Sequence, residues 1–137
     1  MKSDLDDLIQ VTSTLKEKAM ALHRKNLEDR RRIENEIEQI DVLRNTVQAD
    51  DGGLMARRAV GADSLWQSWL IRRRAELLRE AAMARALEGE SLTRAQFAFS
   101  RVQAIEELQK EEIQNRRQKK LAYYAQQLEE LSVSPKK

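Results

Sequence analysis

The sequence contains no cysteine and one histidine, His23. Disulfides and thiolate chemistry are therefore excluded, and a metal site lacks the second imidazole or thiolate it would need. The reading expected for His23 is a surface histidine. Phosphate loops are missing too: Gly52-Gly53 lacks the GxxxxGK[ST] pattern and stands among aspartates, which repel phosphate. Aromatic residues make up 4% of the chain, and its only proline is Pro135. No run approaches the roughly 20 apolar residues of a membrane span. The N-terminal MKSDLDDL is acidic and lacks the apolar core of a signal peptide. With no nucleophile–base set visible, these absences predict a non-enzymatic protein with no cofactor, no metal and no membrane insertion. A cytoplasmic location is the expectation.

What is present is charge and helix-forming residues. Of 137 residues, 35% are charged, and the chain as a whole is rich in Ala, Glu, Lys, Leu, Arg and Gln. This composition suits one domain made of long helices or a coiled coil, with a narrow apolar seam rather than a thick core. Such a seam gives modest stability unless a partner completes it. The net charge of +2 is unevenly spread. Residues 1–50 hold 9 basic and 11 acidic groups, whereas residues 110–137 hold 7 and 4. Along most of the chain acids match bases, which argues against a nucleic-acid-binding stripe.

The helical pattern stops and restarts once. Asp50, Asp51, Gly52 and Gly53 end one helix, and Gly61, Ala62, Asp63 and Ser64 open the next. A short break between two long amphipathic helices folds one back on the other. The predicted fold is all-α, an antiparallel coiled-coil hairpin in a single domain. Its helices are placed at about residues 4–48 and 64–132, with a loop at about 49–63 and a tail at 133–137. Ser3 is a candidate N-cap, and Asp4, Asp6 and Asp7 suit the positive end of the helix dipole. With Leu5 at heptad position a, the a row is Leu5, Thr12, Ala19, Asn26, Ile33, Ile40 and Val47. The d row is Leu8, Leu15, Leu22, Asp29, Glu36 and Leu43. Asn26 reads as a register-setting polar residue or a loose place in the seam. The run Arg30-Arg31-Arg32 reads as a solvated, salt-bridged face.

In the second helix Asp63 or Ser64 is the candidate cap. Trp66, Trp69, Leu70, Leu77, Ala81 and Ala84 form a first stripe. Leu92, Ala95, Phe99 and Val102 are expected to resume it in a new register past Gly89, so stutters are anticipated. Gly89 is an internal weak point, and with no turn signal around it the helix is expected to continue through it, straight or bent. Antiparallel pairing places Val47 near Trp66 and Leu8 near Ile105. The second helix then projects some 20 residues beyond the first, on the order of 30 Å. That overhang carries Arg116, Arg117, Lys119 and Lys120, then Leu121, Tyr124, Leu128 and Leu131. An apolar seam with no internal partner seeks an external one. Trp66 and Trp69 either close the seam beside the loop or serve as partner anchors. Two other classes compete with a partner-binding stalk: a self-associating scaffold or chaperone, and a nucleic-acid-binding helical protein.

The segment LWQSWLIRRRAELLREAAMARALEGESLTRAQFAFSRVQAIEEL has a tryptophan-led start, an alanine-rich, arginine-studded middle and an AFSR stretch from Ala98 to Arg101. With the two-helix plan and the length, it resembles the FliJ family, the small stalk proteins of the flagellar type III export ATPase. The detailed likeness covers about residues 60–110. The resemblance implies a hairpin similar to the rotor stalk of rotary ATPases, cytoplasmic and peripheral to the membrane export apparatus. It implies that Leu5, Leu8, Arg116, Arg117, Lys120, Leu121, Tyr124 and Leu128 meet a hexameric export ATPase. Ile40, Leu43, Val47, Trp66, Trp69 and Leu70 would meet the export gate, and export chaperones are further implied partners.

Overall fold

In this computed structural model the described backbone comprises residues 2–49 and 62–133, and the described side chains residues 4–47 and 64–133. Two α-helices account for all of it: α1, Lys2–Ala49, and α2, Ala62–Val133. They pack against each other, consistent with a hairpin. Both begin two residues before the predicted positions, so Ser3 and Ser64 fall inside helices rather than at their caps. Asp4 in the first turn of α1 still complements the helix dipole. The residues of the predicted break, Asp50 to Gly61, lie outside the described residues.

The chain divides into two units, Lys18–Ala95 and Met1–Glu17 with Gln96–Lys137. In the first, Ile33 and Ile40 of α1 form one cluster with Leu70, Leu77, Ala81 and Ala84 of α2. Ile37 and Trp66 pack against it. Leu70 and Leu77 are each 1% exposed, the most completely buried side chains. Hydrogen bonds and ion pairs tie the helices along their length. As α1 is followed upward from His23 through Glu34 to Asp41, its partners on α2 fall from Ser91 through Arg85 to Arg74.

Burial repeats every seven residues. On α2 one row is Leu70, Leu77, Ala84 and Ser91, all buried, and a second is Arg74, Ala81, Glu88 and Ala95, all buried or half-buried. In the second unit the same spacing recurs at Ala98, Ile105 and Glu112, and at Val102 and Gln109. Rows alternating by three and four residues are those of a heptad seam. The expected change of register past Gly89 is therefore not found. Leu92 and Phe99 suggested it, but both are exposed, and Ser91 occupies the seam position instead. Gly89 lies in unbroken helix, and a methyl group placed on it would meet nothing within 4 Å. It departs from Ala only in propensity, roughly 1 kcal/mol.

On α1 the predicted a row is correct. Thr12, Ile33, Ile40 and Val47 are buried, and Leu5, Ala19 and Asn26 are half-buried. The predicted d row is not the second seam row. Leu8, Leu15, Leu22 and Leu43 are exposed, and the half-buried row is Ile9, Lys16, His23, Arg30, Ile37 and Arg44. Long basic side chains lay their aliphatic stems along the seam while their heads reach water or a carboxylate. In the second unit Thr12 donates its hydroxyl to the Leu8 and Ile9 carbonyls at 2.7 and 3.1 Å. Gln109 Nε2 donates to Asp6 Oδ1 at 3.1 Å, close to the expected Leu8–Ile105 pairing.

Candidate partner-binding surfaces

The seam turns polar toward the Lys18 and Ala95 ends of the Lys18–Ala95 unit. Ser91 Oγ donates to the Glu88 carbonyl at 3.0 Å, and its oxygen lies 3.0 Å from His23 Nδ1. Both bonds are satisfied when the imidazole carries its proton on Nδ1. His23 is thus a seam residue and not the expected surface histidine. Asn26 Nδ2 donates to the Leu87 carbonyl at 3.3 Å, which fits its reading as a register-setting residue. Arg30 pairs with Glu88 and, at 2.8 Å, with Glu34. It leaves the solvated face predicted for the arginine run, whereas Arg31 and Arg32 remain exposed.

Interhelical ion pairs border the apolar cluster. Arg74 donates from Nε and Nη2 to the two oxygens of Asp41, at 2.7 and 3.5 Å. Arg85 pairs with Glu34 at 2.8 Å, and Arg73 with Glu36 at 3.2 Å. The Arg85 hydrogen bond, followed by that of Arg30, holds the Glu34 carboxyl below its ordinary range despite partial desolvation. Arg74 lowers Asp41 in the same way. A carboxyl whose folded pKa is lowered contributes stability above its unfolded pKa and loses it as pH falls through the folded value. The melting midpoint is therefore expected to hold from neutrality down to about pH 5, then fall below about pH 4. Melts of Glu34→Gln/Asp41→Asn across this range check the assignment. The variant should start lower and fall less, and an equally deep acid fall would reject it.

The predicted tip residues separate into two groups. Ile40, Val47 and Leu70 are buried in the seam, and Trp66 packs against the cluster. The first three offer a partner little side-chain surface, whereas Trp66 is half-buried. Trp69 is 54% exposed and Leu43 is exposed, so these two remain outward-facing.

At the other predicted site, Leu5 is half-buried and Leu8 exposed. From Ile113 to Val133 every residue of α2 is exposed. Arg116, Arg117, Lys120, Leu121, Tyr124 and Leu128 all fall in this segment. Arg116 is paired with Glu112 at 2.6 Å. Arg117, Lys119 and Lys120 form no ion pair among the described residues. Ile113 and Tyr123 line a shallow depression with Arg116, Arg117, Lys119 and Lys120. Sequence reasoning passed over these two residues, although their spacing from Arg116 and Arg117 puts them on one helical face. Tyr123 and Tyr124 have ring centroids 6.1 Å apart, tilted by 60°, and Gln127 Nε2 donates to the Tyr123 hydroxyl at 2.9 Å.

Among the described residues, no group of three or more His, Asp or Glu side chains could hold a metal ion, and no helix is long and apolar enough to cross a membrane. The fold and its exposed surfaces define a class of all-helical chains in which two helices share a seam and one extends past it. Comparison with family models, curated proteins and solved structures finds no match to this chain.

Proposed function

We propose that this chain is a non-enzymatic stalk and coupling component of a flagellar type III protein export apparatus. In this reading the two helices form an antiparallel coiled-coil hairpin, cytoplasmic and peripheral to the membrane. Its overhanging end binds the hexameric export ATPase, its loop end the export gate, and export chaperones are further partners. The observation that carries the reading is the exposed segment Ile113–Val133, whose Leu121, Tyr124, Leu128 and Leu131 are each more than half exposed. A long apolar stripe left open to water is a binding surface awaiting its counterpart. At the loop end the outward-facing Trp69 and Leu43 are the contacts that remain for the gate.

The test is removal of residues 111–137. Helicity per residue should stay unchanged, because the seam ends at Glu112, while binding to a hexameric export ATPase should be abolished. Recovery of the ATPase by the shortened protein would reject the stalk reading. The exposed leucines Leu8, Leu15, Leu22 and Leu43 favour a second reading, a self-associating coiled-coil scaffold. Sedimentation over a range of concentrations separates the two, since a stalk stays monomeric.

A further inference from the structure

Continuing the seven-residue rows of the seam past Glu112 carries them onto Arg116, Lys119, Tyr123 and Gln126. The side of α2 that faces α1 earlier on therefore becomes basic and polar beyond it. Leu121, Tyr124, Leu128 and Leu131, spaced three, four and three, share a different face. At 3.6 residues per turn that face lies about 140° around the helix. A longer α1 would not cover it, so its partner must approach from the far side.

The borders of the stripe are unlike each other. One carries Arg116 and Lys120, with Arg117 in line with the stripe itself, and the other carries Gln118, Ala125 and Ser132. In an antiparallel pair of identical helices, like borders face each other. The border holding Lys120 holds Ile113, Arg116 and Gln127 besides, and no carboxylate. In a parallel pair the opposite border brings Gln118 and Ala125 there. The same stripe of a second copy thus supplies no counter-charge for Arg117 or Lys120 in either orientation.

From this we infer that the Leu121–Leu131 stripe receives an amphipathic helix of a different protein, with carboxylates bordering that helix's apolar face. The inference rests on reading Ile113–Val133 as the working end and adds the chemistry of what it binds. Electrostatic matching fixes the register of the incoming helix and speeds its docking, while the leucines and Tyr124 supply the buried apolar contact.

The probe is a labelled synthetic helix with a heptad leucine stripe bordered by glutamates, with a twin carrying lysines in their place. Fluorescence anisotropy with the full-length chain should detect the glutamate peptide and find the lysine twin at least tenfold weaker. Arg117→Glu/Lys120→Glu should reverse that preference, and Leu121→Ser/Leu128→Ser should abolish binding. All four residues are exposed, so circular dichroism should show these variants folded. Equal binding of both peptides, or an unchanged preference in the charge-reversed variant, would overturn the inference. So would a concentration-dependent dimer that Leu121→Ser/Leu128→Ser dissolves. No arm contains the ATPase, so failure here is distinct from failure of the truncation test.

Discussion

Leu77→Ala is expected to lower unfolding free energy by about 2–4 kcal/mol, a large effect for a single truncation. Leu77 is 1% exposed at the centre of the Ile33, Ile40, Leu70, Ala81 and Ala84 cluster. Its neighbours in the cluster include two alanines, which have no side chain to lean into the vacated space. The cavity should therefore stay largely open rather than close by collapse of its neighbours. Domains of this kind are stable by only about 5–15 kcal/mol, so the loss is a substantial fraction. Urea titration followed by far-ultraviolet circular dichroism measures it. Leu78→Ala is the matched control: the same atoms are removed one residue along, where the side chain is 45% exposed, and the cost should stay below about 1 kcal/mol. Equal losses at the two positions would mean that the seam does not run where these rows place it.

The second large effect separates the two tryptophans. Trp66→Ala removes an indole that packs against the apolar cluster, and a loss of about 2 kcal/mol is expected for a half-buried aromatic. Trp69→Ala removes an indole that is more than half exposed, so stability should change by less than about 1 kcal/mol. Binding should divide the opposite way. A partner at the loop end should lose affinity at least tenfold with Trp69→Ala, because exposed tryptophans are the anchors that partners bury. Purified export-gate cytoplasmic domain is the probe. Unchanged gate binding by a folded Trp69→Ala protein would remove the gate from the proposal and leave the ATPase end untouched.

Much of the fold was legible because it rests on periodicity. Two long helices, the seven-residue row through Ile33, Ile40 and Val47, and the pairing of the start of α1 with α2 near Ile105 follow from spacing alone. The second seam row of α1 was not legible, for a physical reason. By hydrophobicity Leu8, Leu15, Leu22 and Leu43 outrank Lys16, His23, Arg30 and Arg44, yet the leucines are exposed and the basic row is half-buried. What makes a basic side chain acceptable in the seam is its counterpart on the other helix. Glu88 answers Arg30 and Ser91 answers His23, and neither match is visible until the two helices are placed side by side. The same blindness made Ser91 resemble a gap and Leu92 a resumption of the stripe. The candidate surfaces divided similarly. The exposed end after Glu112 was readable from the unequal helix lengths, whereas the burial of Ile40, Val47 and Leu70 was masked by their nearness to the tryptophans.

The His23–Ser91 and Arg30–Glu88 matches make the hairpin a keyed shaft. If one helix slipped along the other by a heptad, His23 would face Ala84 or Ala98, and Arg30 would face Ala81 or Ala95. Every such step sets the imidazole against methyl groups and costs Arg30 its Glu88 partner, leaving it only Glu34 of its own helix. A purely leucine-lined pair would slide far more cheaply, since each heptad looks like the next. Within the Lys18–Ala95 unit the pairing of the two helices is thus held to one register by polar matches rather than by apolar contact alone.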